Sequence, residues 1–260
     1  MRMLSQAPPS SDPRVVMLES EGASIHVRLA RHPRARRIKL SLDERGAWLT
    51  LPMRASERAA LAFLHTNREW LARHWKALHA DAPTALLTGV EAALPLRGEW
   101  FPVQWSAGRI TRLSHLNGGL HFDVRGLEKV HGEPATPAMR RALREFYEAE
   151  ARTDIARWMP RHADALPRLP ARIVLKRTRS QWGSLSPAGV LALDLPLVLA
   201  RPSAFEYVLV HELCHLIHHD HSRAFWREVE LRCPHWRDER DYLHAEGRRL
   251  KARLRVLLGD

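Results

Sequence analysis

The pentad His211-Glu212-Leu213-Cys214-His215 constrains the fold more than any other stretch of this 260-residue chain. Two histidines four positions apart lie on one face of an α-helix, so both imidazoles can reach a single metal ion, and the intervening glutamate can reach a water bound to it. The pattern of residues 202–206, Pro-Ser-Ala-Phe-Glu, is that of a capping box and predicts the start of this helix. Apolar residues at helical spacing predict that the helix is largely buried: Phe205, Val208, Leu209, Leu213 and Leu216.

A third metal ligand has to be found outside the pentad, because a catalytic zinc site uses three protein ligands and one open position. In a straight helix His218 and His219 lie roughly 10 and 12 Å from His211 along the axis, at about 1.5 Å per residue, which excludes both. The third ligand therefore comes from chain that has turned back, and His221 is the nearest candidate. The alternative is a histidine-rich helix end whose imidazoles are merely solvated.

Residues around the pentad have structural interpretations beside functional ones. Cys214 lies off the ligand face, which favours a packed core thiol over a metal ligand. Tyr207 lies one turn before the first histidine, where it either lines the site or packs in the core. Asp220 either orients a ligand imidazole or stabilises the turn. Ser222 predicts the N-cap of a following helix, Arg223–Arg232.

The composition predicts a soluble protein of one or two domains. A hydrophobic content of 45% is enough for a sizeable core. The N-terminus lacks an apolar signal segment and the chain lacks an 18-residue apolar run, so we expect a cytoplasmic protein without a membrane span. Two cysteines are too few for a disulfide framework. The oligomeric state is not indicated by the sequence.

The chain is strongly basic, with 41 Lys and Arg against 29 Asp and Glu and a net charge of +12. Two clusters stand out, at residues 31–39 and 248–255. One interpretation is a solvated, arginine-rich surface. The other is contact with nucleic acid or an acidic polypeptide through this surface.

The order of predicted elements indicates an α+β fold in three parts. Residues 1–19 are predicted to be a disordered tail. Residues 20–130 alternate between apolar and polar positions and predict a β-rich lobe with one long helix that begins near Ser56. Residues 131–260 then form a second domain that holds the pentad helix, preceded by a long amphipathic helix from Pro137 to about His162.

Two stretches before the pentad helix are candidates for the wall of the site. Arg179–Ser184 is a polar bend that contains glycine, and its Arg179 and Trp182 are candidate site-wall residues. Gly189–Asp194 is a predicted strand. Either this strand presents an edge to which a peptide adds, or it is an ordinary internal strand.

Together these stretches resemble the YgjP-like zinc metallopeptidases, which are related to the SprT and WLM groups of minimal zincins. The resemblance covers most of residues 20–240 and rests on four stretches: Arg179–Ser184, Leu193-Asp194, Tyr207–His215, and His221-Ser222 with Phe225-Trp226. It implies a zincin-like catalytic domain over residues 131–260, with the H-E-x-x-H helix packed on a small antiparallel sheet. It also implies zinc (Zn2+) bound by three ligands, a catalytic base and a polypeptide substrate. The implied ligands and base are His211, His215, His221 and Glu212.

The chain departs from that family at specific positions. Leu185 stands where members commonly carry Cys, and Asp194 stands where they commonly carry Asn. His218 also replaces the glycine of metzincins, which disfavours membership of that group. The leading hypothesis is a zinc-dependent peptidase with Glu212 as general base. One alternative is a DNA-associated, SprT-like protease or a nucleic-acid-binding module with structural zinc; another is cleavage of a non-peptide amide or ester.

Overall fold

The computed structural model describes residues 14–20, 23–43, 46–80, 85–163, 166–178 and 180–259. Two compact units divide the chain, Met1–Ala82 and Pro83–Asp260. Both combine sheets with helices, so the predicted α+β class is confirmed. Among the helices of the described residues, none has the length and apolarity needed to cross a bilayer.

A four-stranded sheet and two helices form the first unit. The strands are β1 (Arg14–Ser20), β2 (Ala23–Arg31), β3 (Lys39–Asp43) and β4 (Gly46–Leu51), in the spatial order β1-β2-β4-β3. The helices are α1 (Glu57–Thr66) and α2 (Arg68–Ala80). Every second residue of the inner strands is buried, as expected for a sheet with one covered face. The core includes Ile25, Val27, Leu29, Leu49, Leu64 and Leu71.

Two expectations for this part of the chain need correction. The sequence predicts a disordered tail over residues 1–19, but residues 14–19 belong to β1, which pairs antiparallel with β2; residues 1–13 lie outside the described residues. The single long helix is two helices, because Asn67 caps the first and its side-chain amide donates to the carbonyl of Phe63 at 2.8 Å. The expected cap at Ser56 is present, with Oγ accepting from the N–H of Ala59.

The second unit begins with another four-stranded sheet. Its strands are β5 (Ala93–Leu96), β6 (Glu99–Ala107), β7 (Arg112–Leu116) and β8 (Gly119–Val124), in the order β5-β6-β8-β7. The short helix α3 (Leu127–Val130) and the long helix α4 (Pro137–Ala163) follow. Leu94 and Phe122 of the sheet share one buried core with Leu143 of α4. The boundary therefore falls between residues 82 and 83, not at residue 130.

A smaller, three-stranded sheet lies next to the pentad helix. Its strands are β9 (Arg172–Lys176), β10 (Gly183–Leu185) and β11 (Val190–Asp194), in the order β10-β11-β9. β10 pairs antiparallel with β11, but β9 pairs parallel with it, so the sheet is mixed and not purely antiparallel as expected. Because β11 has a neighbour on both sides, it is an internal strand, and the alternative that it presents an edge to a peptide is wrong.

Three helices complete the second unit: α5 (Pro202–Cys214), α6 (Arg223–Arg232) and α7 (Trp236–Leu258). A 3-10 turn, Leu195–Leu199, connects β11 to α5 and is entirely buried. The expected capping box is absent, because α5 begins after Arg201 and has no side-chain cap. Glu206 instead lies 3.0 Å from the imidazole of His162. Helix α5 is thus held by tertiary packing, with Phe205, Leu209 and Leu213 almost fully buried.

Candidate metal centre

Three histidines converge at the end of α5. His211 lies in its last turn, His215 caps it, and His221 directly precedes the N-cap of α6. One ligand nitrogen from each lies within 4.8 Å of the other two. The Nε2 atoms of His211 and His221 are 3.1 Å apart. Ligand nitrogens about 2.1 Å from one zinc ion in a tetrahedron are roughly 3.4 Å from each other, so this spacing suits zinc.

A tight turn after α5 brings the third histidine back to the other two. The helix ends at Cys214, whose carbonyl accepts the N–H groups of Ile217 and His218 at 3.0 and 2.9 Å. Ser222 caps α6 as predicted, and its Oγ accepts from the N–H of Phe225. His218 and His219 are not part of the cluster. The early end of α5 is what allows a residue six positions after His215 to return.

Burial favours the neutral form, which a metal requires, for two imidazoles of this cluster, those of His211 and His215. Burial, followed by the charges that protonated His215 and His221 would carry, lowers the pKa of His211 to about 4. Burial likewise lowers the pKa of His215. Its Nδ1 donates to the carbonyl of His218 at 3.0 Å, which fixes the tautomer and leaves Nε2 free as an acceptor. The donor set therefore fits a zinc ion.

Aromatic side chains enclose the cluster on the α6 side. The ring of Phe225 stacks on His215 with a centroid distance of 4.6 Å. Trp226 lies 5.7 Å from His211 and stacks on Trp236 at 4.3 Å. These rings exclude water from one side of the site, which strengthens electrostatic interactions inside it.

Glu212 is buried directly beside the histidines. It is 6% exposed, and burial raises the pKa of its carboxyl to about 7. The side chain rests on the backbone of β10, since a Cβ atom added at Gly183 would lie 2.6 Å from Cγ of Glu212. A carboxylate with this pKa exchanges a proton readily near neutral pH, which suits a general base.

Comparison with known proteins identifies the family. The sequence matches the family described as YgjP-like, metallopeptidase domain, over residues 36–246. The chain belongs to the YgjP-like metallopeptidase family. It is therefore a hydrolase of the metallopeptidase class, as its sequence motifs predict.

Two further comparisons are less informative. The crystal structure of the metallopeptidase zymogen of Pyrococcus abyssi abylysin matches with 22% identity and a TM-score of 0.30, over 38% of this chain and 93% of that one. No functionally curated protein matches the sequence significantly.

The other predicted site residues of this YgjP-like protein differ in how close they lie to the histidine cluster. Tyr207 is buried, with its ring centroid 6.0 Å from that of His211, and burial raises its pKa to about 12. Trp182 lies partly buried under the ammonium of Lys251, 4.4 Å from the ring centroid. Asp220 is exposed and accepts the N–H of Ser222 at 3.1 Å, which supports its turn-stabilising interpretation. Arg179 lies outside the described residues.

A buried ion pair beside the site was not predicted as a unit. Asp194 is 1% exposed and pairs with Lys251 of α7. In the sequence, Asp194 ends a predicted strand and departs from the family pattern, and Lys251 belongs to a basic cluster, but neither feature indicates that the two are paired. Because 57 residues separate the two, no local pattern connects them.

The two basic clusters differ in structure. In the second, Arg253 covers the ring of Trp100 at 4.8 Å and Lys251 is partly buried in an ion pair, so part of the cluster's charge is used within the fold. The first lies between β2 and β3, where Arg34, Arg36 and Arg37 are exposed. The loop before β3 therefore offers three exposed cations to an anionic partner.

Proposed function

We propose that this protein is a zinc-dependent peptidase in which His211, His215 and His221 hold the ion and Glu212 is the general base. The observation that carries the proposal is the convergence of three imidazoles within 4.8 Å, next to a buried carboxylate. Three neutral nitrogen ligands leave a coordination position free, as in catalytic zinc sites.

In this mechanism Glu212 transfers the proton, and aromatic side chains shield the metal ligands. When bound, zinc supplies Lewis acidity that lowers the pKa of a water towards about 7 and polarises a carbonyl. Glu212 accepts the proton of the attacking water and passes it to the leaving amine. Burial raises its pKa to about 7 in the metal-free protein, and the charge of a bound zinc ion would oppose that rise and favour the ionised form that a base requires. Phe225 and Trp226 shield the imidazoles from solvent on one side.

The edge position of strand β10 is an argument for a polypeptide substrate. It is the outer strand of the sheet next to α5, with β11 on its inner side among the described strands. An extended peptide can add to such an edge through main-chain hydrogen bonds. Gly183 of this strand contacts Glu212, so a peptide on β10 would lie close to the base.

Zinc content and hydrolysis of a denatured protein test this proposal. Wild-type protein should hold about one zinc ion per chain, and chelation should abolish hydrolysis until zinc is restored. Single substitutions of His211, His215 or His221 by Ala should lose both properties.

The matched control is His218→Ala, which retains the backbone carbonyl that accepts from His215. It should keep zinc and activity. Full zinc content in the three variants, or its loss in the control, would contradict the assignment of ligands.

A further inference from the structure

We propose that Lys251 and Asp194 form a clamp that positions the segment formed by Thr178 and residues 180–183 against Glu212, which makes Lys251 a positioning residue for hydrolysis. The inference deepens the proposed function and rests on it. It concerns residues that belong to neither the metal cluster nor the base.

Asp194 joins the end of β11 to the start of this segment. Its Oδ1 accepts the N–H of Thr178 at 2.7 Å, and its own N–H donates to the carbonyl of Trp182 at 2.8 Å. The carboxyl is almost fully buried, and burial raises its pKa despite these hydrogen bonds. A buried carboxylate is stable only with a charged partner, and the partner is Lys251.

Lys251 holds the same segment from the other side. Its ammonium donates to the carbonyls of Thr178 and Gln181 at 3.1 and 2.9 Å, in addition to its bond with Asp194. It also lies over the ring of Trp182. All three donors of an ammonium are thereby used by the segment and the aspartate.

Helix α7 is shaped to receive this segment. Gly247 lies four residues before Lys251, on the same face of the helix. A Cβ atom at position 247 would lie 2.7 Å from Cζ2 of Trp182, so only glycine permits the indole to pack this closely. The indole is thus enclosed by the helix backbone and the ammonium.

The clamp is connected to Glu212 through two adjacent residues, Trp182 and Gly183. Trp182, which both members of the pair contact, is followed directly by Gly183, whose backbone supports the Glu212 side chain. Replacement of a buried ion pair by neutral groups is often harmless to stability, so the pair is not explained by stability alone. The role that we assign to the pair is to keep β10 at a fixed distance from Glu212.

The test compares wild-type protein with the double variant Lys251→Met/Asp194→Asn, which leaves no buried charge unpaired. Hydrogen exchange of residues 178–185 should become at least tenfold faster. With zinc content unchanged, kcat for peptide hydrolysis should fall about tenfold or more while KM changes little, since small misplacements of a base are costly. Lys129→Met, an exposed substitution of the same kind in α3, should alter neither quantity.

The outcomes separate this inference from the proposed function. If wild-type protein does not hydrolyse peptides, the proposed function and the role in hydrolysis both fail, while hydrogen exchange still decides whether the pair holds the segment. Unchanged exchange in the double variant overturns the clamp. Faster exchange with an unchanged kcat overturns the positioning role. If the double variant does not fold, Lys251→Gln with the same two measurements replaces it.

Discussion

Burial of the Glu212 side chain is the property of a single residue on which the proposed chemistry depends. The carboxyl is enclosed by α5 and the backbone of β10, and its pKa rises to about 7 for that reason alone. The same burial must destabilise the fold, because an ionised group is kept from water. Enzymes commonly accept such a cost at catalytic positions.

Glu212→Gln is expected to stabilise the metal-free protein at pH 8 by up to about 3 kcal/mol, and hardly at all at pH 4.5. The unfolded carboxyl ionises near 4.5 but the folded one near 7, so the unfolded state binds fewer protons between these values. The stability of wild-type protein therefore falls as the pH rises through this window, and the variant escapes that loss. Denaturant unfolding at both pH values measures the difference; equal gains at both would contradict it.

Gly183→Ala should lower kcat by about 10- to 100-fold without loss of zinc. The added Cβ atom would lie 2.6 Å from Cγ of Glu212, so either the base or β10 has to move. Displacements of this size at a reacting group are costly in rate. Steady-state kinetics and metal analysis of the same preparation measure the two quantities. Wild-type kcat in this variant would show that the contact does not position the base.

Among the secondary-structure elements, the turn between β5 and β6 holds the 3-10 turn that leads into α5. Arg97 and Gly98 join β5 to β6, with φ angles of 52° and 82°. Their N–H groups donate to the carbonyls of Val198 and Leu199 at 2.9 and 3.0 Å, within the 3-10 turn before α5. The guanidinium of Arg97 also bonds Asp154 of α4. The path of the chain into the site helix thus depends on this arginine.

Asp154→Ala should cost about 3–5 kcal/mol of unfolding free energy. Asp154 is 2% exposed, and its loss would leave the largely buried Arg97 with Glu150 as its remaining carboxylate partner. Glu145→Ala on the same helix is the control, since Glu145 forms an exposed pair with Arg141 and should cost less than about 1 kcal/mol. Chemical denaturation compares the two, and similar losses would refute the anchoring role of Asp154.

Helices and strands whose apolar residues recur at a regular spacing were predictable from the sequence, but contacts between elements far apart in the sequence were not. Helices α4 and α6 follow from apolar spacing and from the cap at Ser222. The convergence of His211, His215 and His221 was predictable, because helix rise and one turn fix it. The edge position of β10 and the partner of Asp194 were not, since both depend on tertiary packing across many residues.

In the molecule as a whole, the candidate metal centre and the exposed basic loop before β3 lie in different units. The histidine cluster belongs to the unit Pro83–Asp260, and the loop with Arg34, Arg36 and Arg37 belongs to Met1–Ala82. A net charge of +12 favours anionic partners in general. Contact with nucleic acid thus remains a proposal for the first unit, separable from hydrolysis.

If this loop binds nucleic acid, substituting Arg34, Arg36 and Arg37 together by Ala should weaken binding to single-stranded DNA. The slope of log affinity against log salt concentration should fall by about 2, at roughly 0.7 per phosphate contact. The triple variant Arg54, Arg58 and Arg73→Ala removes the same charge from other exposed positions of the unit and should change the slope little. Gel-shift titrations at several salt concentrations measure both, and no wild-type shift at low salt would exclude the proposal.

In the proposed mechanism, Glu212 acts as general base beside a metal held by His211, His215 and His221. The deciding measurement is the hydrolysis of a denatured protein by Glu212→Gln and by wild-type protein at equal zinc content. We expect the variant to bind zinc fully and to hydrolyse at least about 100-fold more slowly, the range of general acid–base catalysis. A zinc-loaded variant with wild-type activity would exclude Glu212 as the base.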